Sequence, residues 1–433
     1  MLFVSYSRFD SFLVGSVSKR LEALGAQYWL DTAEIPVGEA FVVRIGQALA
    51  RCHDFMLVDT PASRRSYWVS REVKAALRRR REGRLRQLLR LNLDPSNVYS
   101  GIPFDTVIEG EDGWHKMESL LKVAAPPAIL ERDVTTLEPL LATGEVGQPA
   151  QWVGRQEELE KLDVWWSSGS PIAWVEGQAG LGKSGLIRTW IAALNALGYD
   201  SGETCATSYI LGRDLRAGLV VLDKWVGRHP GNGSLIMIDG FDEAEHQDMA
   251  LEFTQRAARA GIRVLVSSRT PLPEALGVGA TTVSLADLSD PFARQLLGSC
   301  VSSEVDCDKL LSRYGRSPLI LSMIARELSA GRLTAEMLLE IDPSAGLGQL
   351  LEHLTATLSR DARRLLQELA ADTQRTRDDA CRQFDRTERE VTMRELENRG
   401  LISRVEGEPR IFHEAIRDWA REMQPTEGAP QLE

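Results

Sequence analysis

The sequence is poor in cysteine and histidine, with five of the first and six of the second in 433 residues. Cys52, Cys205, Cys300, Cys307 and Cys381 are scattered, odd in number and without a zinc-like C-x-x-C pair. That argues against a disulfide framework or a cysteine metal site, and leaves buried, reduced thiols in a cytosol as the expectation. Long apolar runs are missing too: none approaches the ~20 residues that span a bilayer. Met1 leads straight into Leu2-Phe3-Val4 with no basic n-region or cleavage-site pattern, so no secretory leader is expected. No repeat recurs at solenoid periods. Positive charge is also in deficit, and a net charge of −11 argues against a chain that coats nucleic acid. The one basic run, Arg78-Arg79-Arg80-Arg81, reads as a solvated helix face, with a contact site for a partner subunit or polyanion as the alternative.

What is present is a 43% hydrophobic, charge-rich composition ordinary for a folded protein, in a length that suggests about three domains. Residues 1 to 125 alternate short apolar runs with helical periodicity: Leu2-Phe3-Val4, then Leu13, Val17, Leu21 and Leu24, then Gln27 to Leu30, then Val42, Ile45, Leu49 and Cys52, then Phe55 to Val58. Such alternation implies a parallel sheet covered by helices. Ala125-Pro126-Pro127 interrupts it, and residues 126–150 read as a linker. A second α/β unit follows over 151–288, with strands at Ile172 to Val175, Leu235 to Ile238 and Val264 to Val266. Residues 289–345 read as helical. In 346–423 a helix ending at Gly400 precedes a short hairpin around Glu406-Gly407-Glu408-Pro409, in the manner of a winged helix, and 424–433 is expected to be a disordered tail.

Gly177-Gln178-Ala179-Gly180-Leu181-Gly182-Lys183-Ser184 satisfies G-x-x-x-x-G-K-[ST] and lies between an apolar strand and a helix. Glycines Gly177, Gly180 and Gly182, with Gly185 just after, let backbone N–H groups curl around phosphates. Lys183 supplies a point charge, Ser184 a hydroxyl for Mg²⁺, and the helix N-terminus a favourable dipole. The strand ending Ile238-Asp239-Gly240-Phe241-Asp242-Glu243 adds Asp239 for the Mg²⁺ shell and Asp242 or Glu243 to polarise a water.

These pieces resemble the NACHT branch of the STAND ATPases, signal-transducing relatives of AAA+ proteins. Trp152-Val153-Gly154-Arg155 resembles the segment that packs on adenine. Ser267-Ser268-Arg269 resembles a sensor that feels the terminal phosphate through Arg269. Gly315-Arg316-Ser317-Pro318 resembles the G-x-P motif, whose proline, here Pro318, touches adenine. Phe412-His413-Glu414 stands where the family has M-H-D, so His413 would hold the ADP β-phosphate. Glu in place of Asp keeps a plain interdomain histidine open as the alternative.

Phe3-Val4-Ser5-Tyr6-Ser7-Arg8-Phe9-Asp10 resembles the first box of TIR domains. Trp29-Leu30-Asp31 with Glu34-Ile35-Pro36 and Gly38-Glu39 resembles the second strand and BB loop. Ser66-Tyr67-Trp68-Val69-Ser70-Arg71-Glu72 resembles the S-x-W-x-x-x-E segment. Such a domain is a flavodoxin-like α/β fold with a five-stranded parallel sheet, and many bacterial examples cleave NAD⁺. Trp68 and Glu72 stand i, i+4 on one helix face. Nicotinamide departs neutral and needs no general acid, so one carboxylate, Glu72, is the catalytic candidate. Trp68, Tyr6 and Arg8 are the candidate NAD contacts, with Arg8 near the pyrophosphate.

The resemblance therefore implies a multidomain α/β switch: an N-terminal TIR effector, a P-loop unit taking ATP or ADP with Mg²⁺, and helical and winged-helix units behind it. Opening would drive self-association through the TIR and P-loop domains in a cytoplasmic, antiphage-type immune protein. Relatives carry C-terminal sensor repeats. None is found here, so an activating sensor or ligand is expected outside these 433 residues, or a different route of activation. The competing readings are a non-enzymatic TIR adaptor gated by nucleotide and, more weakly, a DNA-binding winged helix. Helix Thr387 to Gly400 carries four acids against three bases, so direct reading of nucleic acid is not expected.

Overall fold

The computed structural model describes residues 1–31, 39–93, 102–121, 138–139, 154–197, 206–211, 215–228, 234–244, 247–277, 279–298, 300–301, 303–340, 351–352, 355, 358–371, 386–399, 401–405, 408–411 and 414–422. The expected BB loop, the Trp152-Val153 pair, the Phe412-His413 pair and the tail lie outside them.

The first unit is a five-stranded sheet built from β1 (Leu2–Ser5), β2 (Tyr28–Leu30), β3 (Asp54–Asp59), β4 (Gln87–Asn92) and β5 (Thr106–Ile108), in the order β2-β1-β3-β4-β5. Every neighbouring pair is parallel. Strands β1 and β3 are buried throughout, which explains their unbroken apolar runs rather than alternation. Helices α1 (Ser11–Ala23), α2 (Glu39–Arg51), α3 (Pro61–Arg65), α4 (Tyr67–Arg81) and α5 (Gly110–Leu121) cover the two faces. Ser66 caps α4, accepting a hydrogen bond from the Val69 backbone N–H, so this serine sets where the Trp68 and Glu72 turn begins.

The second sheet has six strands: β6 (Glu138–Pro139), β7 (Ile172–Glu176), β8 (Ala206–Leu211), β9 (Ser234–Asp239), β10 (Arg263–Ser268) and β11 (Ala280–Ser284). Their order is β11-β7-β10-β9-β8-β6, and all pairs are parallel. Strand β6 falls inside the stretch expected as a linker, where Glu138 and Pro139 pair with Ser208 and Tyr209. Two residues are too short for any periodicity to announce them. Helices α6 (Gln156–Ser168), α7 (Lys183–Leu197), α8 (Leu215–Arg228) and α9 (Gln247–Arg259) flank this sheet.

Beyond it the chain is helical: α10 (Asp290–Gly298), α11 (Glu304–Tyr314), α12 (Pro318–Ser329), α13 (Ala335–Glu340), α14 (Arg360–Ala370) and α15 (Arg386–Asn398). The antiparallel pair β12 (Ile402–Val405) and β13 (Glu408–Ile411) then follows, with a last helix, α16 (Glu414–Glu422). One apolar cluster runs from Leu288 through Leu321 and Leu365 to Ile416, joining the helical and hairpin portions.

The first and second units pack on each other through α2 and α4. Ala192, Ala193 and Leu197 of α7 share a buried cluster with Val42, Ile45 and Leu49 of α2. Tyr67 of α4 is buried among Leu159, Leu162, Trp165 and Trp166 of α6. Here the reading of the arginine run is corrected for its first half: Arg80 and Arg81 are exposed, as expected, but Arg78 and Arg79 are not part of a solvated face. Arg78 donates to the Leu197 carbonyl at 2.7 Å, and the buried Arg79 donates to the Ala50 carbonyl at 3.0 Å. The end of α4 lies against α7 and the end of α2, and these guanidiniums satisfy C-terminal helix carbonyls there.

Candidate active site and nucleotide loop

In an open parallel sheet, ligands bind beyond the carboxyl ends of the strands where the strand order reverses. In the first sheet that point is at β1, between β2 and β3, and a cleft of about 120 Å³ opens there. Tyr6, Arg8, Trp29, Asp31, Trp68 and Glu72 line it. The four expected residues of this site are thus brought together. Trp68 and Glu72 both face the cleft from one side of α4, as their spacing requires.

Glu72 is buried, and its Oε2 accepts a hydrogen bond of 2.5 Å from the Ser5 hydroxyl. Burial pushes its carboxyl up to about 8, the Ser5 bond and Arg8 pull it down, and Asp31 pushes it up. Arg8 is not free to reach into the cleft: its Nε and Nη2 both donate to Asp31 Oδ2, at 3.1 and 2.7 Å. Tyr6 donates from its hydroxyl to the Asp31 carbonyl, and burial pushes that phenol up to about 12. Asp31 therefore organises two of the expected ligand contacts. It was missed as a site residue although it stands in the Trp29-Leu30-Asp31 box. Ser5 and Trp29 were missed likewise. Trp29 stacks on Phe3 at 4.8 Å between ring centres, which fixes its ring beside the cleft.

The second site is the glycine-rich loop from Gly177 to Lys183. Gly180 has φ of 84°, and a Cβ there would lie 3.1 Å from Leu319 Cβ, so only glycine fits. Lys183 folds over the loop, donating from Nζ to the Gly177 and Gln178 carbonyls at 2.7 and 2.9 Å. Ser184 Oγ donates to Asp239 Oδ1 at 2.7 Å, and Ser267 Oγ donates to the same atom at 2.5 Å. Ser184 and Asp239 thus bring two oxygens together beside the loop. That donor set suits Mg²⁺, which takes few protein ligands and leaves the rest to phosphate and water. Gly182 and Gly185 flank Lys183 and Ser184 at the start of α7.

Asp242 and Arg269 are engaged with each other. The Asp242 carboxylate accepts from the Arg269 backbone N–H at 2.8 Å and from its guanidinium, and those bonds hold the carboxyl below its usual range despite burial. Neither is poised separately in this arrangement. Pro318 opens α12 at its first turn, and the next N–H, of Leu319, donates to the Gly180 carbonyl at 3.2 Å. Arg155, expected beside adenine, is buried: its Nη2 donates to the Leu181 and Ala286 carbonyls at 3.1 and 2.5 Å. The Glu243 side chain and His413 lie outside the described residues.

The cleft has a further wall that no motif announced. Gly154, Gln156, Phe292 and Gln295, all from beyond the first unit, line it opposite Glu72's own domain.

Residues 2–116 match the family model of the TIR domain, so the N-terminal unit is a TIR domain. It is joined to a second parallel α/β sheet that carries a phosphate-loop sequence. No curated protein matches the chain. Among solved structures, the chain is similar to a signal transduction ATPase with numerous domains (STAND) protein with a tetratricopeptide repeat sensor from Pyrococcus horikoshii. That match has 18% identity and a TM-score of 0.44, over 65% of this chain and 44% of that one. The chain thus spans less than half the length of that protein. It is also similar to a Walker-type ATPase of Pyrococcus abyssi, at 13% identity and a TM-score of 0.34, over 63% of this chain and 97% of that one. A RuvB structure from Thermotoga maritima matches at 15% identity and a TM-score of 0.32, over 63% of this chain and 96% of that one. Among the described residues, no helix is long and apolar enough to cross a membrane.

Proposed function

We propose that this protein is a STAND-type, nucleotide-gated signalling switch whose TIR domain cleaves NAD⁺ at the nicotinamide–ribose bond. The observation that carries the reading is Glu72, a buried carboxylate bonded to Ser5 at the base of a cleft that also holds Trp29 and Trp68. An ionised Glu72 would grip the ribose hydroxyls and stabilise the oxocarbenium charge as neutral nicotinamide leaves. Trp68 supplies a face for the nicotinamide or ribose. Arg8, held by Asp31, offers positive charge toward the pyrophosphate side.

Control would lie at the phosphate loop. Bound ATP or ADP supplies the charge that draws Lys183 and Mg²⁺ together at the loop. Lys183 would leave its two carbonyls to meet phosphate, Ser184 and Asp239 would hold Mg²⁺, and Arg269 would leave Asp242 to meet the terminal phosphate, freeing Asp242 or Glu243 to polarise a water. Pro318 would touch adenine, and His413 would hold the diphosphate in the off state. Self-association through the TIR and P-loop units would follow opening, triggered by an outside sensor or ligand. A cytoplasmic role in antiphage-type immunity, through NAD⁺ depletion or an NAD-derived signal, fits this reading.

The deciding experiment measures nicotinamide release by chromatography, with and without ATP, under conditions that permit assembly. Glu72→Gln keeps size and hydrogen bonding and removes the charge, so it should cut the rate ~10²–10³-fold. Assembly with NAD⁺ intact across concentrations would leave a non-enzymatic TIR scaffold. One observation favours that second reading: Phe9 and Phe12, at the cleft rim and on α1, are 70% and 93% exposed, as a docking surface would be.

A further inference from the structure

Three consecutive residues connect the two candidate sites. Arg155 has φ of 66°, the one positive value of a non-glycine among the described residues. A β-carbon residue enters that region only when its surroundings hold it there. Its guanidinium is held by the Leu181 carbonyl of the phosphate loop, by the Ala286 carbonyl, and by Glu158 Oε1 at 3.1 Å. Its neighbours on either side, Gly154 and Gln156, line the TIR cleft. Gln156 also accepts from the Tyr67 backbone N–H at 3.4 Å, at the first turn of the helix that carries Trp68 and Glu72.

A second connection runs in parallel. Phe292 and Gln295 of α10 complete the same wall. A Cβ on Gly154, whose φ is 71°, would lie only 2.8 Å from the Phe292 ring, so the two pieces of wall are seated against each other. Helix α10 packs on α12, and α12 begins at the Leu319 N–H that bonds the Gly180 carbonyl. Both pieces of wall are thus tied to the phosphate loop, one through Leu181 and the other through Gly180.

The wall also decides what the cleft admits. Its volume is about 120 Å³, against the roughly 300–1,000 Å³ of pockets that enclose drug-sized ligands. In this arrangement Gly154, Gln156, Phe292 and Gln295 narrow the cleft from the side opposite the first unit.

We propose that residues 154–156 and helix α10 form a lid, supplied by the P-loop portion of the same chain, that occludes the TIR cleft until a change at the phosphate loop releases Arg155 and Leu319. This rests on the reading of the cleft as an NAD⁺ site. The lid acts within one chain, before any neighbouring copy is needed. A ligand at the loop shifts the lid only by binding the open arrangement more tightly than the closed one. Arg155 and Leu319 are where that difference in affinity arises, because their partners are loop carbonyls. Once the lid leaves, the wall no longer limits the cleft, and water reaches Glu72.

The test uses the full chain, kept monomeric by dilution and checked by light scattering. Nicotinamide release is measured for the parent and for Phe292→Ala combined with Gln295→Ala, without ATP. The lid predicts at least a tenfold higher basal rate in the variant while it remains a monomer. Arg155→Ala should also raise the basal rate and shrink the further gain from ATP. In parallel, hydrogen–deuterium exchange of the parent follows the peptide containing residues 66–72, which should lose protection on exchange of ADP for ATP. This second measurement does not depend on a variant folding. If the parent cleaves NAD⁺ on assembly but the double variant, folded by circular dichroism, shows the parent's basal rate, the lid is overturned and the enzyme stands. If no form cleaves NAD⁺ yet the 66–72 peptide opens with ATP, the lid stands and the NAD⁺ reading fails. Equal protection in both nucleotides overturns the lid whatever the turnover.

Discussion

Ser5 donates a 2.5 Å hydrogen bond to Glu72, joining the end of β1 to the helix that carries the candidate carboxylate. The bond stabilises the charged form of Glu72, yet burial outweighs it, so the carboxyl is pushed up to about 8. At neutral pH the closed cleft therefore holds Glu72 largely as the neutral acid. The chemistry proposed for it needs the carboxylate.

The first consequence is a stability effect with a definite sign. The folded protein holds the Glu72 proton from the ordinary value of 4.5 up to about 8, whereas the unfolded chain releases it near 4.5. Between those limits the native state binds more protons, so stability falls as pH rises and levels off above the upper limit. Glu72→Gln carries no titrating proton and escapes that loss. Its melting temperature should match the parent's near pH 4 and exceed it increasingly up to about pH 8, by an amount worth a few kcal/mol. Parallel melting curves across that range would mean that Glu72 titrates normally.

The second consequence concerns rate. If Glu72 acts as a carboxylate, nicotinamide release should climb with pH along an acid limb, at or below the closed cleft's value of about 8, because opening relieves the burial that raises it. Removing the Ser5 hydroxyl takes away a bond that pulls the pKa down, so Ser5→Ala should move that limb to higher pH. A merely structural serine would lower the rate at every pH equally. The pH–rate profile of Ser5→Ala, set beside that of the parent, separates the two.

How much of this was legible beforehand differs from residue to residue. The apolar runs of β1 and β3 mark buried parallel strands because both faces are covered, and the five-stranded sheet follows from them. Trp68 and Glu72 could be placed on one face from helical geometry alone. Gly180, Lys183 and Ser184 could be placed at a phosphate loop because backbone curvature demands those residue types at that spacing. Asp31 was harder. It is quoted in its box, but its grip on Arg8 and Tyr6 depends on two loops meeting at the sheet's edge. The wall of Gly154, Gln156, Phe292 and Gln295 was not legible as a wall, although Gly154 stands in the Trp152 to Arg155 motif, since it arises where two units pack. The first half of the arginine run was misread for the same reason: charge alone reads as solvated, which holds for Arg80 and Arg81, and only the neighbouring helix ends reveal carbonyls waiting for Arg78 and Arg79.

At the phosphate loop, Lys183 satisfies its ammonium on two carbonyls of its own loop, at 2.7 and 2.9 Å. Lys183→Ala should thus cost the folded protein little while removing a charge-assisted contact to phosphate, worth roughly 1.5–3 kcal/mol or about 10–150-fold in affinity. Titration with ADP or ATP in Mg²⁺ should show that loss with the melting temperature nearly unchanged. Undiminished nucleotide affinity would count heavily against the phosphate-loop assignment.

The last prediction concerns how the C-terminal portion is held. Glu327 of α12 is 1% exposed and accepts from Arg332, at 2.6 and 2.8 Å, and from Arg399, at 3.1 Å. Arg399 follows α15, the helix before the hairpin, so one buried carboxylate joins the helical portion to the hairpin portion. Removing it would leave Arg399, itself largely buried, beside Arg332 without their shared counter-charge. Breaking such a pair by deleting one partner typically costs about 3–5 kcal/mol, whereas the same change at an exposed pair costs under about 1 kcal/mol. Glu327→Ala should therefore lower the melting transition of this portion by roughly 6–20 °C. Glu327→Gln, which keeps the hydrogen-bonding shape without the charge, should fall between the two. The same α12 begins at the phosphate loop, where Leu319 bonds Gly180. Loosening its far end should therefore also weaken the dependence of nicotinamide release on ATP. A Glu327→Ala protein that melts like the parent would show that the apolar cluster around Leu321, Leu365 and Ile416 holds these portions together without the ion pair.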